Sequence, residues 1–310
     1  MIIGKAIMAG GASHDIAAIL SVVYPTGATC TVSGNGKTLA APDTSGTVTF
    51  ELPAAGSWTV TAVQGSDTAA QALTVTAGDV YEVALSFGTP LSALLVGDSV
   101  YMNVNNARKE FLVIHQGKPS SIYSTTFDNG TILLMKDIYE NQKWHSSRSN
   151  NYANSTLHSY LNNGFLALFD MSVQSIIKQV KVPYRAGSGD SKTVTSGENG
   201  LSTKIFLLSG AEVGFTSSDS EYLPTSEGAK LDYFESGEGT SANNKRVAKL
   251  NGTAIYWWNR SPYCTSASNI AFDVSQEGRV GGHYSNESHG VRPALVLPNT
   301  ILVDDQHNII

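Results

Sequence analysis

The chain has 310 residues, of which 41% are hydrophobic and 15% charged, a composition that allows two domains with apolar cores. The low charge and the 29 glycines favour β-rich structure with polar loops over a helical bundle. A formal net charge of −6 without a basic stripe argues against nucleic acid as a partner. No run of about 18 apolar residues occurs, which argues against membrane insertion.

Residues 1–19 do not have the pattern of a secretion signal. Such a signal needs a basic start and then about 7–15 apolar residues, whereas glycines interrupt the apolar stretch here and Lys5 lies inside it. We therefore expect the protein to be made in the cytoplasm and to be assembled into a virion or released by lysis. Residues 4–11, GKAIMAGG, resemble the leaders of some tail-fibre and baseplate-associated proteins of phages of Gram-positive hosts. The resemblance implies a leader or attachment segment, and the alternative is a flexible terminus.

Residues 20–88 alternate between apolar and polar side chains in short runs. Runs such as 48–52, 58–63 and 72–76 are separated by Pro- and Gly-containing turns. Strands of this length at this spacing predict a small antiparallel β-sandwich. Residues 46–61 resemble carboxypeptidase-regulatory-like and bacterial immunoglobulin-like modules, and the resemblance implies a spacer.

The remaining chain, residues 89–310, mixes strand and helix patterns. Predicted strands cover 95–101, 110–116, 130–136 and 204–208, and Asn105-Asn106 joins the first two. A helix is predicted at 154–163, where Asn154 or Ser155 can cap its first turn. A second is predicted at 172–180 with Ser172 as its cap. The apolar stripes of both helices are expected to pack on the core.

The last part of the chain carries the most specific pattern. Tyr-Trp-Trp-Asn-Arg-Ser-Pro occupies residues 256–262, a strand and a glycine follow at 271–278, and Gly-Val-Arg-Pro-Ala-Leu occupies 290–295. With 144–149 and 205–209, the pattern resembles an uncharacterised bacterial and phage domain family related to the C-type-lectin and formylglycine-generating-enzyme folds. The resemblance covers about residues 94–303. It implies an α+β C-type-lectin-like domain at 89–310, preceded by the N-terminal all-β sandwich.

Two arginines and two tryptophans in this pattern suggest a buried frame. Arg260 and Arg292 lie in apolar stretches, where an arginine must bury its stem and find acceptors for five donors. This favours structural clamps over ligand contacts. Trp257 and Trp258 are neighbours on a strand and therefore face opposite sides, which leaves Trp258 as a candidate ligand platform. The predicted frame consists of Trp257, Arg260, Gly290, Arg292 and Pro293.

Two polar segments, residues 263–269 and 281–289, lie between pieces of this frame. They lack aliphatic anchors and are rich in Tyr, Ser, Asn and His, the composition that antibody paratopes use. In placement and composition the chain is similar to the C-type-lectin-like variable proteins of diversity-generating retroelements. The alternative is an ordinary polar loop. The predicted ligand-binding residues are Tyr263, Ser266, Ser268, Asn269, His283, Tyr284 and Asn286, with Trp258 as a neighbour.

Other chemistries have weaker support. Formylglycine-generating relatives use paired cysteines, whereas Cys264 stands alone in this domain and the chain's other cysteine lies in the sandwich. His283 and His289 share one segment, but it offers no cysteine and Glu287 is the one nearby carboxylate, so no metal site is predicted. The calcium-binding triplets of true lectins are absent, and residues 258–260 read Trp-Asn-Arg in place of Trp-Asn-Asp.

We therefore expect a ligand- or receptor-binding protein rather than an enzyme, acting in adhesion or display on a phage or prophage tail or a bacterial surface assembly. The expected partner is a cell-surface protein or glycan, and no cofactor or metal is predicted. Assembly into a trimer, as in many tail fibres, stays open. Two alternatives also stay open. One is an enzyme of the formylglycine-generating type or another hydrolase on the same fold, and the other is a purely structural virion protein.

Overall fold

The computed structural model describes residues 16–187, 193–224, 226–263, 269–304 and 306–310. Strands make up 43% and helices 12% of the structure, which confirms the β-rich class predicted from composition. The chain divides into two compact units, Met1–Gly88 and Thr89–Ile310. No helix among the described residues is long and apolar enough to span a membrane. The predicted leader at 1–19 is described only from residue 16, and a strand already begins inside its bounds.

The first unit consists of seven strands within its described residues, and no helix occurs among them. In chain order the strands are β1 (Ala18–Val23), β2 (Thr29–Gly34), β3 (Lys37–Ala40), β4 (Thr47–Leu52), β5 (Gly56–Gln64), β6 (Asp67–Val75) and β7 (Val80–Ala84). They form a three-stranded sheet in the order β4-β1-β7 and a four-stranded sheet in the order β3-β2-β5-β6. β1 and β3 are additional to the strands predicted from alternation.

Alternate residues of both sheets in the first unit enclose one core. On β5, Trp58, Val60 and Ala62 are buried, while the residues between them are more exposed. The indole Nε1 of Trp58 donates to the carbonyl oxygen of Ala54 at 3.0 Å. Cys30 is a free, buried thiol of the same cluster, and burial raises its pKa. Two sheets around one alternating core are compatible with the predicted β-sandwich.

The second unit contains the remaining strands and short helices of the described chain. Its strands are β8 (Thr89–Pro90), β9 (Ser99–Val104), β10 (Ala107–Gln116), β11 (Gly130–Met135), β12 (Glu140–Lys143), β13 (Val180–Val182), β14 (Tyr184–Arg185), β15 (Val194–Thr195), β16 (Leu201–Thr203), β17 (Ile205–Phe206), β18 (Lys249–Leu250), β19 (Thr253–Ala254), β20 (Trp257–Pro262), β21 (Ile270–Val274), β22 (Val280–Tyr284), β23 (Ser288–Val291), β24 (Ala294–Pro298) and β25 (Leu302–Val303). Its α-helices are α1 (Thr156–Tyr160), α2 (Met171–Ile176) and α3 (Thr240–Arg246). Short 3-10 helices lie at Leu91–Ala93, Thr125–Phe127, Tyr152–Asn154 and Leu166–Leu168, and a π-helical turn, Leu161–Phe165, follows α1.

A five-stranded sheet in the order β17-β24-β11-β10-β9 lies at the centre of the second unit. It is covered on both faces. On β11, Leu133 and Met135 belong to one hydrophobic cluster, while Ile132 and Leu134 belong to another. A strand that is buried on both faces does not need polar residues at alternate positions. This explains why the chain has unbroken apolar runs at these strands.

The helix predicted at 154–163 falls on α1 and the π-helical turn Leu161–Phe165 that continues it, whereas the helix predicted at 172–180 is shorter than the periodicity suggests. Ser155 caps α1, because its Oγ accepts a backbone N–H of the first turn at 2.9 Å. The second prediction, 172–180, is wrong at both ends: Ser172 lies inside α2, and Val180 belongs to β13. The physical reason is competition from the sheet. The Lys178 N–H donates to a carbonyl of β24 at 2.9 Å, and β13 pairs with β16, so the backbone leaves the helix well before the predicted stop.

A second five-stranded sheet, in the order β12-β23-β20-β21-β22, carries the residues of the C-terminal sequence pattern. β20 runs antiparallel to β21 and parallel to β23. Trp257 and Trp258 are both fully buried, each in a different hydrophobic cluster. Neighbouring residues of a strand point to opposite faces. This sheet is therefore packed on both faces at β20, and β20 supports the strands that follow it in the sheet, β21 and β22.

Candidate functional site

The alternation of side chains along the β21–β22 hairpin determines which of the predicted residues share a face. In its ladder Ala271 lies opposite His283, and Asp273 lies opposite Gly281. Opposed residues of an antiparallel pair share a face, and successive residues alternate. Asp273 and His283 therefore lie on one face of the hairpin, and Tyr284 lies on the other. The predicted ligand-binding residues that the structure describes therefore do not form a single surface.

One face carries a histidine–aspartate cluster, which consists of Asp273, His283 and His289. The His283 Nδ1 lies 2.6 Å from Asp273 Oδ2, and the His289 Nδ1 lies 3.2 Å from the same oxygen. One donor atom from each of the three residues lies within 4.8 Å of the other two. The Tyr256 ring contacts both imidazoles, with centroids 5.1 and 5.5 Å away, and Trp258 stacks on His289 at 4.4 Å. The Tyr256 ring thus contacts both imidazoles, and the Trp258 ring stacks on that of His289.

The carboxylate of this cluster is in an unusual environment. Asp273 is fully buried, and no described residue forms a hydrogen bond with its Oδ1. Its hydrogen bond to His283 raises the pKa of that imidazole, because the carboxylate stabilises the protonated ring. A Cβ at Gly281 would lie 2.1 Å from Asp273 Oδ1, so only glycine leaves room for the carboxylate there. The His283 side chain is 35% exposed, which opens the cluster to solvent.

The two predicted tyrosines lie at the opposite face of the hairpin, Tyr284 as part of β22 and Tyr263 packed against β21. The Tyr263 ring stacks against Tyr222, with centroids 4.8 Å apart, and against Phe272 at 4.9 Å. Tyr284 is 41% exposed, and the Arg148 guanidinium lies 4.4 Å from its ring centre, within reach of a cation–π interaction. We call Tyr222, Tyr263, Tyr284 and Arg148 the tyrosine face. Its rings are held by neighbours while leaving aromatic surface exposed.

The predicted polar residues lie beside the turn that follows β22. Ser285 donates its backbone N–H to the Asn269 carbonyl oxygen at 2.8 Å, and Asn286 comes next in the turn. Both asparagines are half-buried. The Asn286 Oδ1 is buried without a hydrogen-bond partner. Ser266 and Ser268 lie outside the described residues, as does Cys264.

The segment 281–289, which the sequence suggests is a polar loop, consists of the end of β22, a turn and the start of β23. Trp258 also differs from its prediction as a ligand neighbour. It is fully buried, and its indole Nε1 donates to the Gln142 carbonyl oxygen at 2.9 Å. A side chain without exposed area cannot touch a ligand in this conformation. Trp258 instead stacks on the imidazole of His289.

The frame residue Arg260 lies at the centre of a buried polar network. It is fully buried and makes a two-pronged ion pair with Glu212, at 2.5 and 2.7 Å. Its other hydrogen bonds go to the carbonyl oxygens of Pro183, Leu207 and Glu227. These five bonds use all five N–H donors of the guanidinium. Arg260 therefore joins segments that are far apart in the sequence.

The frame residues Gly290, Arg292 and Pro293 lie where β23 of one five-stranded sheet leads into β24 of the other. Arg292 donates from Nε to the Met135 carbonyl oxygen at 2.9 Å, and its guanidinium lies 5.1 Å from the centre of the Trp257 ring. Burial lowers the pKa of Arg292 to about 10. The Pro293 carbonyl oxygen accepts the Met135 N–H at 2.9 Å. Gly290 is buried against Tyr256, whose carbonyl oxygen accepts its N–H at 2.8 Å.

Three residues of the histidine–aspartate cluster, the Arg260 network and the tyrosine face were not predicted from the sequence: Asp273, Glu212 and Arg148. Asp273 is a single charge inside an apolar strand, and this pattern could have marked it as a buried functional group. Glu212, the partner of Arg260, gave no comparable signal. Arg148 was part of the family pattern, but nothing local connects it to Tyr284. These pairings depend on strand order, which the sequence alone did not provide.

Comparison with known proteins gives a family but no function. No curated protein matches the chain. Among solved structures, the chain is similar to a DUF4876 family protein from Bacteroides thetaiotaomicron VPI-5482, at 11% sequence identity and a TM-score of 0.16. That match covers 41% of this chain and 34% of the other, so the chain spans about a third of that protein's length, and we base no conclusion on it. The family described as "Domain of unknown function (DUF6273)" matches residues 129–299, more than half of the chain, and the chain therefore belongs to this family.

Proposed function

We propose that this protein binds a ligand through its second unit and acts in adhesion or receptor recognition, with that unit taking a C-type-lectin-like fold. The observation that carries the proposal is the tyrosine face. Tyr284 is exposed with the Arg148 guanidinium against its ring, and Tyr263 is stacked on Tyr222 and Phe272. Tyr284 belongs to the β21–β22 hairpin, and Tyr263 packs on Phe272 of β21, whose neighbouring strand β20 is buried.

Stacked tyrosines of this kind suit binding for two physical reasons. A tyrosine offers a large apolar ring and a hydroxyl with few rotatable bonds, so little entropy is lost when it contacts a ligand. Contacts with Phe272 and Arg148 restrict the rings further before any ligand arrives. Such preorganisation increases affinity by lowering the cost of binding. The tyrosine face therefore combines rings packed against the core, Tyr222 and Tyr263, with aromatic surface that a ligand can contact.

The partner that best fits this surface is a cell-surface protein or glycan. Aromatic rings can pack on the apolar faces of either. The amides of Asn269 and Asn286 lie beside the same hairpin and can donate to and accept from polar groups. The buried, unpartnered Oδ1 of Asn286 is one acceptor that a small rearrangement would make available. We place the protein on a phage or prophage tail or a bacterial surface assembly, with retroelement diversification of these segments as part of the same proposal.

The first unit serves as a spacer in this proposal. Its buried side chains form one core, and the residues between them are the outward half of an alternating pattern. A small sandwich of this kind presents a second domain without needing a site of its own. Its contribution can be tested by deleting residues 1–88 and measuring ligand binding by the second unit.

The proposal is tested by binding of the purified full chain to a panel of glycans and bacterial surfaces. Wild type is compared with Tyr263→Ala/Tyr284→Ala and with a matched control, Tyr101→Ala. Tyr101 also carries a guanidinium on its ring, that of Arg108 at 3.4 Å, but lies on β9 in the central sheet. The melting temperature of each protein is recorded beside its binding.

We expect the double variant to lose binding by at least about tenfold, with a melting temperature close to that of wild type, and the control to bind normally. Binding that survives the double variant but is lost in Tyr101→Ala would move the site to the groove of about 350 Å³ beside Tyr101. Absence of binding by wild type to every surface would reject the proposal and favour a purely structural role.

A further inference from the structure

We propose that Asp273, His283 and His289 bind a divalent transition metal ion of the Zn²⁺ type. This inference does not depend on the proposed ligand-binding function. The three residues come from β21, β22 and β23, and one donor atom from each lies within 4.8 Å of the others. No metal site is predicted from residues 281–289 alone, because that segment offers two histidines and Glu287 as the one nearby carboxylate. The carboxylate that completes the set comes from the neighbouring strand.

The environment of Asp273 is the independent reason to expect a cation. The residue is fully buried, and its Oδ1 has no hydrogen-bond partner among the residues that the structure describes. Buried carboxylates are costly unless they are paired with a cation or coordinate a metal. Within the described part of the chain, the His289 Nδ1 is also buried without a hydrogen-bond partner, although it lies 3.2 Å from Asp273 Oδ2. Two members of the cluster thus each keep a buried polar atom without a partner there.

The donor set selects the class of metal. Two imidazole nitrogens and a carboxylate oxygen are typical zinc ligands, whereas Ca²⁺ and Mg²⁺ prefer oxygen alone. Ligand atoms around a tetrahedral zinc ion, at bond lengths of about 2.0–2.2 Å, lie roughly 3.3 Å from one another. The distance of 3.2 Å from Asp273 Oδ2 to the His289 Nδ1 is close to that separation, and the 2.6 Å to the His283 Nδ1 is shorter. An ion therefore requires the His283 imidazole to move away from the carboxylate by roughly 0.7 Å.

The surroundings hold the imidazoles in the orientation that coordination requires. Trp258 stacks on His289 with an angle of 18° between the rings. The other nitrogen of His289, Nε2, lies 3.8 Å from Glu287 Oε2, which places a carboxylate behind a ligating imidazole. Such outer carboxylates fix the tautomer and increase the basicity of metal-bound histidines. Three protein ligands leave a fourth position open on the side of His283, which is 35% exposed.

The test uses the full chain after removal of metal with a chelator and dialysis. Zn²⁺ is titrated by calorimetry, and Co²⁺ is titrated in parallel, because its visible spectrum reports tetrahedral nitrogen and oxygen ligands. The variants are His283→Gln, His289→Gln and Asp273→Asn. The matched control is Asp232→Asn, which removes the carboxylate from the separate pair His115–Asp232, with a distance of 2.8 Å.

We expect wild type and Asp232→Asn to bind one Zn²⁺ per chain and each of the three site variants to bind at least about 100-fold more weakly. Ca²⁺ and Mg²⁺ should not compete. Equal affinity in wild type and both histidine variants, or no Zn²⁺ binding by wild type, would overturn the proposal. Should a variant fail to fold, the imidazole NMR signals of wild type decide the question. Zn²⁺ must shift the signals of His283 and His289 and leave that of His115 in place, and the reverse result also overturns the proposal.

Discussion

Replacement of Arg260 by methionine is expected to destabilise the second unit severely. The guanidinium is fully buried, and its removal leaves the Glu212 carboxylate, which is 1% exposed, without its counter-ion. Breaking a buried ion pair in this way costs about 3–5 kcal/mol. Three carbonyl oxygens also lose a donor, at about 1–3 kcal/mol for each that stays unsatisfied. Since domains are stable by only about 5–15 kcal/mol, a loss of about 4 kcal/mol or more should leave the second unit marginally folded.

Urea unfolding followed by tryptophan fluorescence measures this loss. Three of the four tryptophans belong to the second unit, and Trp58 belongs to the first, so the fluorescence reports mainly on the second unit. Arg108→Met is the control, because Arg108 is exposed and should contribute less than about 1 kcal/mol. An Arg260→Met protein that unfolds within about 1 kcal/mol of wild type would refute the assignment of a buried ion pair.

A double variant separates the ion pair from simple packing. Glu212→Met/Arg260→Met leaves no buried charge without a partner, so it should be more stable than Arg260→Met alone. The difference measures the cost of an isolated Glu212 carboxylate. If the double variant instead loses the sum of the two single losses, the residues do not couple, and the reasoning from their 2.5 and 2.7 Å contacts fails.

Three further predictions concern buried groups in both units. Burial raises the pKa of Glu227 from 4.5 to about 7, so its contribution to stability is present below about pH 4.5 and is lost as the pH rises through about 7, by at most about 3 kcal/mol. Glu227→Gln, which is neutral at every pH, should flatten the Tm of the second unit between about pH 5 and 8, and parallel curves for the two proteins would contradict this. Tyr123→Phe removes the hydrogen bond of 2.7 Å to Glu212 Oε1 and should cost about 1–3 kcal/mol in urea unfolding, unlike a surface tyrosine. Trp58→Ala removes a ring that is 1% exposed and should cost the first unit about 3–5 kcal/mol, and a first-unit transition that does not move in calorimetry would exclude this role.

Local signals predicted the elements that depend on neighbouring residues. Asn105 and Asn106 link β9 to β10 with positive φ values of 53° and 58°, as a type I′ hairpin requires. Ser155 caps α1, which the sequence could suggest from its position before an apolar stripe. Both features are decided within a few residues. They were therefore readable without knowledge of the fold.

Features that depend on strand order were not predictable in this way. Arg260 needs acceptors wherever it is buried, and the sequence could state that need, but it could not identify Glu212 at 48 residues' distance. The stripe that includes Val180 is compatible with a helix, yet β16 competes for the same backbone and makes it a strand. Tertiary pairing overrides local periodicity when the helix is short.

The candidate site shows the same limit at closer range. A polar composition drew attention to the segment that contains His283, Tyr284 and Asn286. It could not show that β22 extends to Tyr284 and so assigns neighbouring residues to opposite faces. Asp273 was not predicted as a site residue, because its partners lie on other strands. A lone charge between Phe272 and Val274 is nevertheless costly to bury, and this was the signal in the sequence.

The alternation of β22 also allows the two proposals to be tested independently in one protein. His283→Gln should abolish Zn²⁺ uptake and leave the contact of Tyr284 with Arg148 in place, because the two side chains leave the strand in opposite directions. Tyr284→Ala should weaken ligand binding and leave Zn²⁺ uptake unchanged. If each variant instead loses both activities without unfolding, the two faces act as one site. In that case the open coordination position would receive a group of the ligand, and the metal would belong to recognition itself.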